Sequence, residues 1–125
     1  MKYDYDLIIV GGGPAGSTMA LRAFQQGLKV LLLDKERFPR DKICGDAILP
    51  GCTYILNEFQ LLDSLLQKPH HWTGTNIQVF SEHEYLQVSH QRNLLVKRKI
   101  FDNVLFQAAK SCVDTQEGVH VDNLI

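Results

Sequence analysis

The sequence has no C-x-x-C pair, no histidines at metal-ligand spacing, no long apolar run and no excess of either charge. Its three cysteines, Cys44, Cys52 and Cys112, are irregularly spaced, which argues against a zinc site and against a thioredoxin-like dithiol. The five histidines, His70, His71, His83, His90 and His120, read as structural or solvated. Basic residues number 13 and acidic residues 14, for a net charge of −1, so no basic field calls for a nucleic-acid partner. The opening Met-Lys-Tyr-Asp-Tyr-Asp puts acids directly before a short apolar run that ends in glycines. That is neither a signal peptide nor a membrane span. The expected compartment is the cytoplasm, with peripheral association at a membrane surface left open. Repeats, low-complexity segments, a nucleophile–base pair and a paired-carboxylate motif are also missing, so no catalytic residue is assigned.

What is present, within 125 residues that suffice for one domain with a core, is a glycine-rich turn in a telling context. Asp6 to Gly16 reads Asp-Leu-Ile-Ile-Val-Gly-Gly-Gly-Pro-Ala-Gly. Leu7 to Val10 is unbroken and apolar, the pattern of a strand buried on both faces. Gly11, Gly13 and Gly16 then fit G-x-G-x-x-G: a sharp turn, a close approach for a pyrophosphate, and close packing of helix on sheet. Pro14 suits a first helical turn, and Ala15 lies beside it. The expected helix puts Gly16, Ala20, Ala23, Phe24 and Gly27 on one face, with Gly27 as its stop. Val30 to Leu33 is a second apolar run ending in Asp34. In a β-α-β unit the two strand ends share one sheet edge, which sets the Asp34 carboxylate beside the glycines to accept ribose hydroxyls. The alternative is an ordinary surface Asp closing a strand.

Residues 35 to 48 are a charged loop in which Pro39 favours an extended Phe38. By composition Arg37, Arg40 and Lys42 are solvated; by position they can contact phosphate or adenosine. Pro50 to Gln67 reads as one helix with Ile55, Leu56, Phe59, Leu62, Leu65 and Leu66 on its apolar face, ended by Pro69. Ile77–Val79 and Leu86–Val88 alternate as a hairpin around a turn near Ser81 to Glu84. A short strand over Leu94–Val96 leads through Arg98 into a helix with Phe101, Val104, Leu105, Ala108 and Ala109 as its stripe. Val113 to Gln116 reads as a further strand, and Gly118 as a turn.

Asp6 to Gly16, Asp34-Lys35 and the stretch Phe-Pro-Arg-Asp-Lys-Ile-Cys-Gly-Asp together resemble the amino-terminal part of the FAD-dependent oxidoreductases with the aromatic-hydroxylase fold. Within them the geranylgeranyl reductase-like branch is the nearer likeness, through Pro39, Arg40, Lys42, Cys44 and Gly45. Related halogenases usually carry a Gly-Glu-Ser type sequence there. Arg98-Lys-Ile-Phe-Asp102 with Leu105 is similar to the family's Arg-x-x-Phe-Asp-x-x-Leu pattern. The resemblance implies FAD at the glycine loop, with Lys35, Arg40, Cys44, Gly45 and Arg98 as further cofactor neighbours. Taken alone, Cys44 reads as a small buried apolar residue. Arg98 reads as a surface arginine whose charge opposes a helix dipole, so a bound anion would favour it. Many family members have Glu where this chain has Asp34, which implies ribose binding with slightly altered geometry.

The expected fold class is α/β: a Rossmann-like βαβ unit with an antiparallel hairpin from an incomplete substrate domain. Residues 1–73 are expected to be the first part of the FAD-binding domain, 74–93 the hairpin, and 94–125 a return to the FAD-binding domain. By resemblance the function is the FAD-binding portion of an oxidoreductase reducing double bonds of a prenyl or lipid substrate with electrons from NAD(P)H. An FAD-dependent aromatic hydroxylase and a non-enzymatic, truncated nucleotide-binding fragment stay open. The chain looks like the first third of such a flavoprotein, so a partner chain or further sequence is expected to supply the rest.

Overall fold

In the computed structural model, residues 3–44, 47–68, 71–80 and 85–123 are described. Their packing separates two units, residues 1–43 with 98–125 and residues 44–97.

The first unit is built on β1 (Leu7–Val10), α1 (Pro14–Gln25), β2 (Val30–Asp34), α4 (Arg98–Lys110) and β6 (Asp114–Glu117). β2 is the central strand, parallel to β1 on one side and to β6 on the other. Leu7 stands opposite Val30 and Val10 opposite Leu33, while Asp34 stands opposite Glu117. Three strand ends therefore lie together at one edge of the sheet. Val30, Leu32 and Asp34 are all buried, and each of the two aliphatic side chains contributes about 1.5–3 kcal/mol by leaving water. α1 buries Ser17, Ala20, Leu21 and Ala23, and α4 buries Asp102, Leu105, Phe106 and Ala109. The two helices pack on each other. Phe24, expected on the inner face of α1, is half exposed, because Ser17 and Leu21 take the inner positions. Gly27 stops the helix at φ +78°.

β1 departs from its expected burial. Ile8 is 56 % and Val10 57 % exposed, because only alternate side chains of β1 turn towards packed neighbours. An unbroken apolar run signals two covered faces; here one is open.

The second unit holds β3 (Ala47–Ile48), α2 (Pro50–Glu58), α3 (Leu62–Leu66), β4 (His71–Phe80) and β5 (Tyr85–Val96). β5 lies between β3 and β4, antiparallel to both. The hairpin pairs Ile77 with Val88 and Val79 with Leu86. Its second strand runs on to Val96, so the strand expected separately at Leu94–Val96 is the end of β5. The turn expected near Ser81 to Glu84, and Pro69, lie outside the described residues. The hairpin has a third strand, β3, which precedes it in the chain. The helix expected over Pro50 to Gln67 is two helices, since Gln60 takes φ +59° after α2; a left-handed residue cannot continue a right-handed helix. Only Leu56 and Leu65 of the expected apolar face are buried, and Ile55 and Leu66 are partly exposed. α2 and α3 thus pack in the same unit as the hairpin, and the two units divide at 43/44 and 97/98. Among the described residues no helix is long and apolar enough to cross a membrane.

Candidate nucleotide-binding site

The site grows from the end of β1. Gly11 takes φ +107°, a conformation that side chains rarely adopt, and its N–H donates to the Leu33 carbonyl at 2.7 Å. The turn is thereby tied to β2. A Cβ at Gly16 would lie 1.7 Å from the Gly11 carbonyl oxygen, so α1 meets the strand end only because residue 16 has none. The Ser17 hydroxyl donates to the Gly12 carbonyl at 2.8 Å. A Cβ at Gly12 would lie 2.7 Å from the Phe106 ring. α1 starts at Pro14 with Gly13 as its N-cap, and no side chain caps its first turn. Its first N–H groups and the positive end of its dipole remain available to an anion.

Asp34 stands beside this loop. Its Oδ2 accepts the Gly12 N–H at 2.6 Å and its Oδ1 accepts the Glu36 N–H at 2.8 Å. The carboxylate therefore ties the glycine turn to the loop after β2. A carboxylate offers about four lone-pair sites, so acceptor capacity remains for a ribose.

The charged loop is pinned rather than freely solvated. The Phe38 N–H donates to Glu117 Oε1 at 2.7 Å, and Glu117 Oε2 accepts Lys110 Nζ at 2.9 Å. These two hydrogen bonds, the Lys110 one first, hold the Glu117 carboxyl below the usual range. The Phe38 ring stacks on Phe106 with centroids 4.1 Å apart, and the Phe38–Pro39 peptide is cis. Arg40 lies over the Phe38 ring, 5.0 Å from its centroid. Its Nη2 would be 3.4 Å from a Cβ at Gly13, so it faces the glycine loop directly.

Asp102 lies at the base of this arrangement with no solvent exposure. Arg98 grips it with two hydrogen bonds, Nε to Oδ1 at 2.6 Å and Nη2 to Oδ2 at 2.9 Å. Arg40 Nη1 is 2.8 Å from the same Oδ2. Arg40 Nη1 is buried, and among the described residues no acceptor lies on the line of a hydrogen bond from it; its contact with Asp102 is an ion pair. Arg98 opens α4, where the dipole disfavours a cation. Asp102, one turn on, already offsets that cost, so a bound anion is not needed to explain Arg98. Asp102 is not marked as a site residue by any motif, although the i, i+4 spacing that lets it meet Arg98 is visible in the chain.

These residues border a cleft of about 1070 Å3 in the first unit. Gly11, Gly13, Pro14, Ala15 and Gly16 form one wall. Asp34, Lys35, Arg40 and Arg98 line it as well. Met19, Glu36, Asp41, Lys42 and the segment Val119–His120–Val121 also border it, none of them a candidate from the sequence except Lys42. The Val119 N–H donates to the Asp34 carbonyl at 3.0 Å, which brings that segment alongside β2. Cys44 is exposed and belongs to the second unit, unlike the buried residue its apolar character suggests. Gly45 lies outside the described residues.

The cleft joins a glycine turn, an open helix N-terminus, a buried carboxylate at the next strand end and two arginines. The likeness to known proteins extends over nearly the whole chain. The chain is 32 % identical to a 1H-pyrrole-2-carbonyl-[peptidyl-carrier protein] brominase of Pseudoalteromonas luteoviolacea, over 94 % of this chain and 30 % of the relative. It is 50 % identical to a geranylgeranyl diphosphate reductase of Rhodobacter capsulatus over 50 % of this chain and 15 % of that one. The structure of a myxobacterial chondrochloren halogenase superposes with a TM-score of 0.78 at 30 % identity, covering 91 % of this chain and 28 % of the halogenase. The chain thus spans less than a third of the relatives it matches. The sequence pattern described as FAD binding domain matches residues 4–124, and this chain belongs to that family.

Proposed function

We propose that the cleft holds the adenosine and diphosphate of FAD, and that the whole protein reduces a carbon–carbon double bond of a prenyl-type lipid with electrons from NAD(P)H. The observation that carries the nucleotide reading is the fit of the cleft to a diphosphate. Gly13 places no side chain between the loop and Arg40 Nη2, and Arg40 Nη1 has unused donor capacity. The open first turn of α1 and the guanidiniums of Arg40 and Arg98 offset the diphosphate's charge. Asp34 accepts from the ribose while it keeps the glycine turn closed. When bound, FAD supplies the redox chemistry, and the chain supplies placement and charge.

The reductase reading rests on residues 39 to 46 and on the 50 % identity to the Rhodobacter reductase. A second reading, oxygen-dependent chemistry such as halogenation or aromatic hydroxylation, draws on the brominase match, which covers nearly the whole chain. Two measurements separate these. Titration with FAD and with NADH tests the nucleotide: FAD is expected to bind more tightly, and the reverse order overturns the assignment. A polypeptide carrying this chain with the remainder that its relatives have is then assayed with NADPH and a polyprenyl substrate under argon. Saturated product without air is expected. Product formed only in air, with oxygen or halogen added, overturns the reductase reading.

A further inference from the structure

We infer that Asp102 is a positioning residue for diphosphate recognition: it fixes the guanidiniums of Arg40 and Arg98 side by side. The inference rests on the nucleotide reading above. Asp102 is fully buried and does not border the cleft, whereas both arginines do. It therefore acts through them and not on a ligand.

Two guanidiniums in one cleft repel each other, and each is a long side chain with many rotamers. Asp102 removes both obstacles at once. Its Oδ2 is shared, 2.9 Å from Arg98 Nη2 and 2.8 Å from Arg40 Nη1, so one oxygen sets the separation of the two cations. Its Oδ1 takes Arg98 Nε, which locks the plane of that guanidinium in a fork. The Asp102 charge, set against both guanidiniums, also offsets their mutual repulsion. Arg40 is held from a second side by the Phe38 ring, so its Nη2 faces Gly13 in a defined place. A pre-placed pair of this kind saves the ligand the cost of ordering two arginines on binding.

Adenosine and ADP separate positioning from mere structural support, since they differ only in the diphosphate. Calorimetric titration of the 125-residue chain and of Asp102→Asn, in about 0.3 M salt so that long-range charge is screened, gives the test. ADP affinity is expected to fall roughly 10- to 100-fold, the loss of one or two charge-assisted hydrogen bonds, with adenosine affinity unchanged. Equal losses for both ligands, or ADP bound as tightly as before, overturn the inference. Wild-type protein that binds neither ADP nor FAD overturns the nucleotide reading, and the inference with it. If Asp102→Asn does not fold, the wild-type side-chain Nε–H resonances decide. ADP should shift those of both Arg40 and Arg98 and adenosine neither; resonances that ignore ADP refute the inference.

Discussion

Replacing Asp34 by alanine tests the double duty of its carboxylate. The side chain is 7 % exposed and accepts two backbone N–H groups, Gly12 at 2.6 Å and Glu36 at 2.8 Å. A hydrogen bond to a charged group contributes about 1.5–3 kcal/mol, and an orphaned buried donor costs its desolvation. The Glu36 N–H sits in a partly buried loop and can regain water; the buried Gly12 N–H cannot do so without opening the turn. Asp34→Ala is therefore expected to destabilise the first unit by about 3 kcal/mol, mostly through Gly12. Asp34→Asn keeps one acceptor oxygen but turns an NH2 towards the other donor, so it should fall between wild type and alanine. Urea unfolding gives the stability, and amide exchange at Gly12 reports the turn itself. FAD affinity should fall by about a further 1–3 kcal/mol through the ribose contact. Alanine stability within about 0.5 kcal/mol of wild type, or unchanged protection at Gly12, would refute this account of the turn. Unchanged FAD affinity would remove Asp34 from the ribose.

Gly16→Ala puts a Cβ 1.7 Å from the Gly11 carbonyl oxygen, an overlap that only movement of α1 can relieve. We expect a loss of about 3 kcal/mol or more together with loss of nucleotide binding, read by urea unfolding and FAD titration; native affinity would contradict it. Glu117 gives a pH signature. Its folded-state pKa lies below its unfolded one, because of Lys110 and the Phe38 N–H. Its contribution is full above the unfolded value of about 4.3 and is lost as pH falls through the folded value. Glu117→Gln should therefore flatten the acid limb of stability below about pH 4.3 and leave its shape at higher pH unchanged. An acid limb as steep as wild type would show that another group sets it.

The local part of the site was legible in the sequence because its signals are local. Gly11, Gly16 and Asp34 carry fixed roles at fixed spacing, and each occupies the place that spacing implies. The hairpin was legible for the same reason, since two alternating runs on either side of a polar turn mark it. What was not legible depends on partners far along the chain. Nothing near Ile8 and Val10 says that the face they point to is open. Asp102 looks like a polar residue on an outer helix face until Arg40, from a distant loop, is brought against it. The break at Gln60 was hidden because glutamine is a fair helix former and carries no sign of a left-handed backbone.

The contact between Gly12 and Phe106 has a bearing on which sequences this fold admits. Residue 12 is an unconstrained letter in G-x-G-x-x-G, yet here the Phe106 ring occupies the space that a methyl group at residue 12 would need. The constraint is imposed by another helix and not by the loop, so the two positions are expected to drift only in concert. Trimming residue 106 to leucine or smaller would relieve the ring contact and leave Asp34 Oδ2, at 3.3 Å, as the close neighbour of an alanine methyl at residue 12. That exchange would also withdraw the ring on which Phe38 lies, and so loosen the platform under Arg40. A library that randomises the loop alone would score residue 12 as invariant, whereas one that varies residues 12, 38 and 106 together should recover non-glycine solutions.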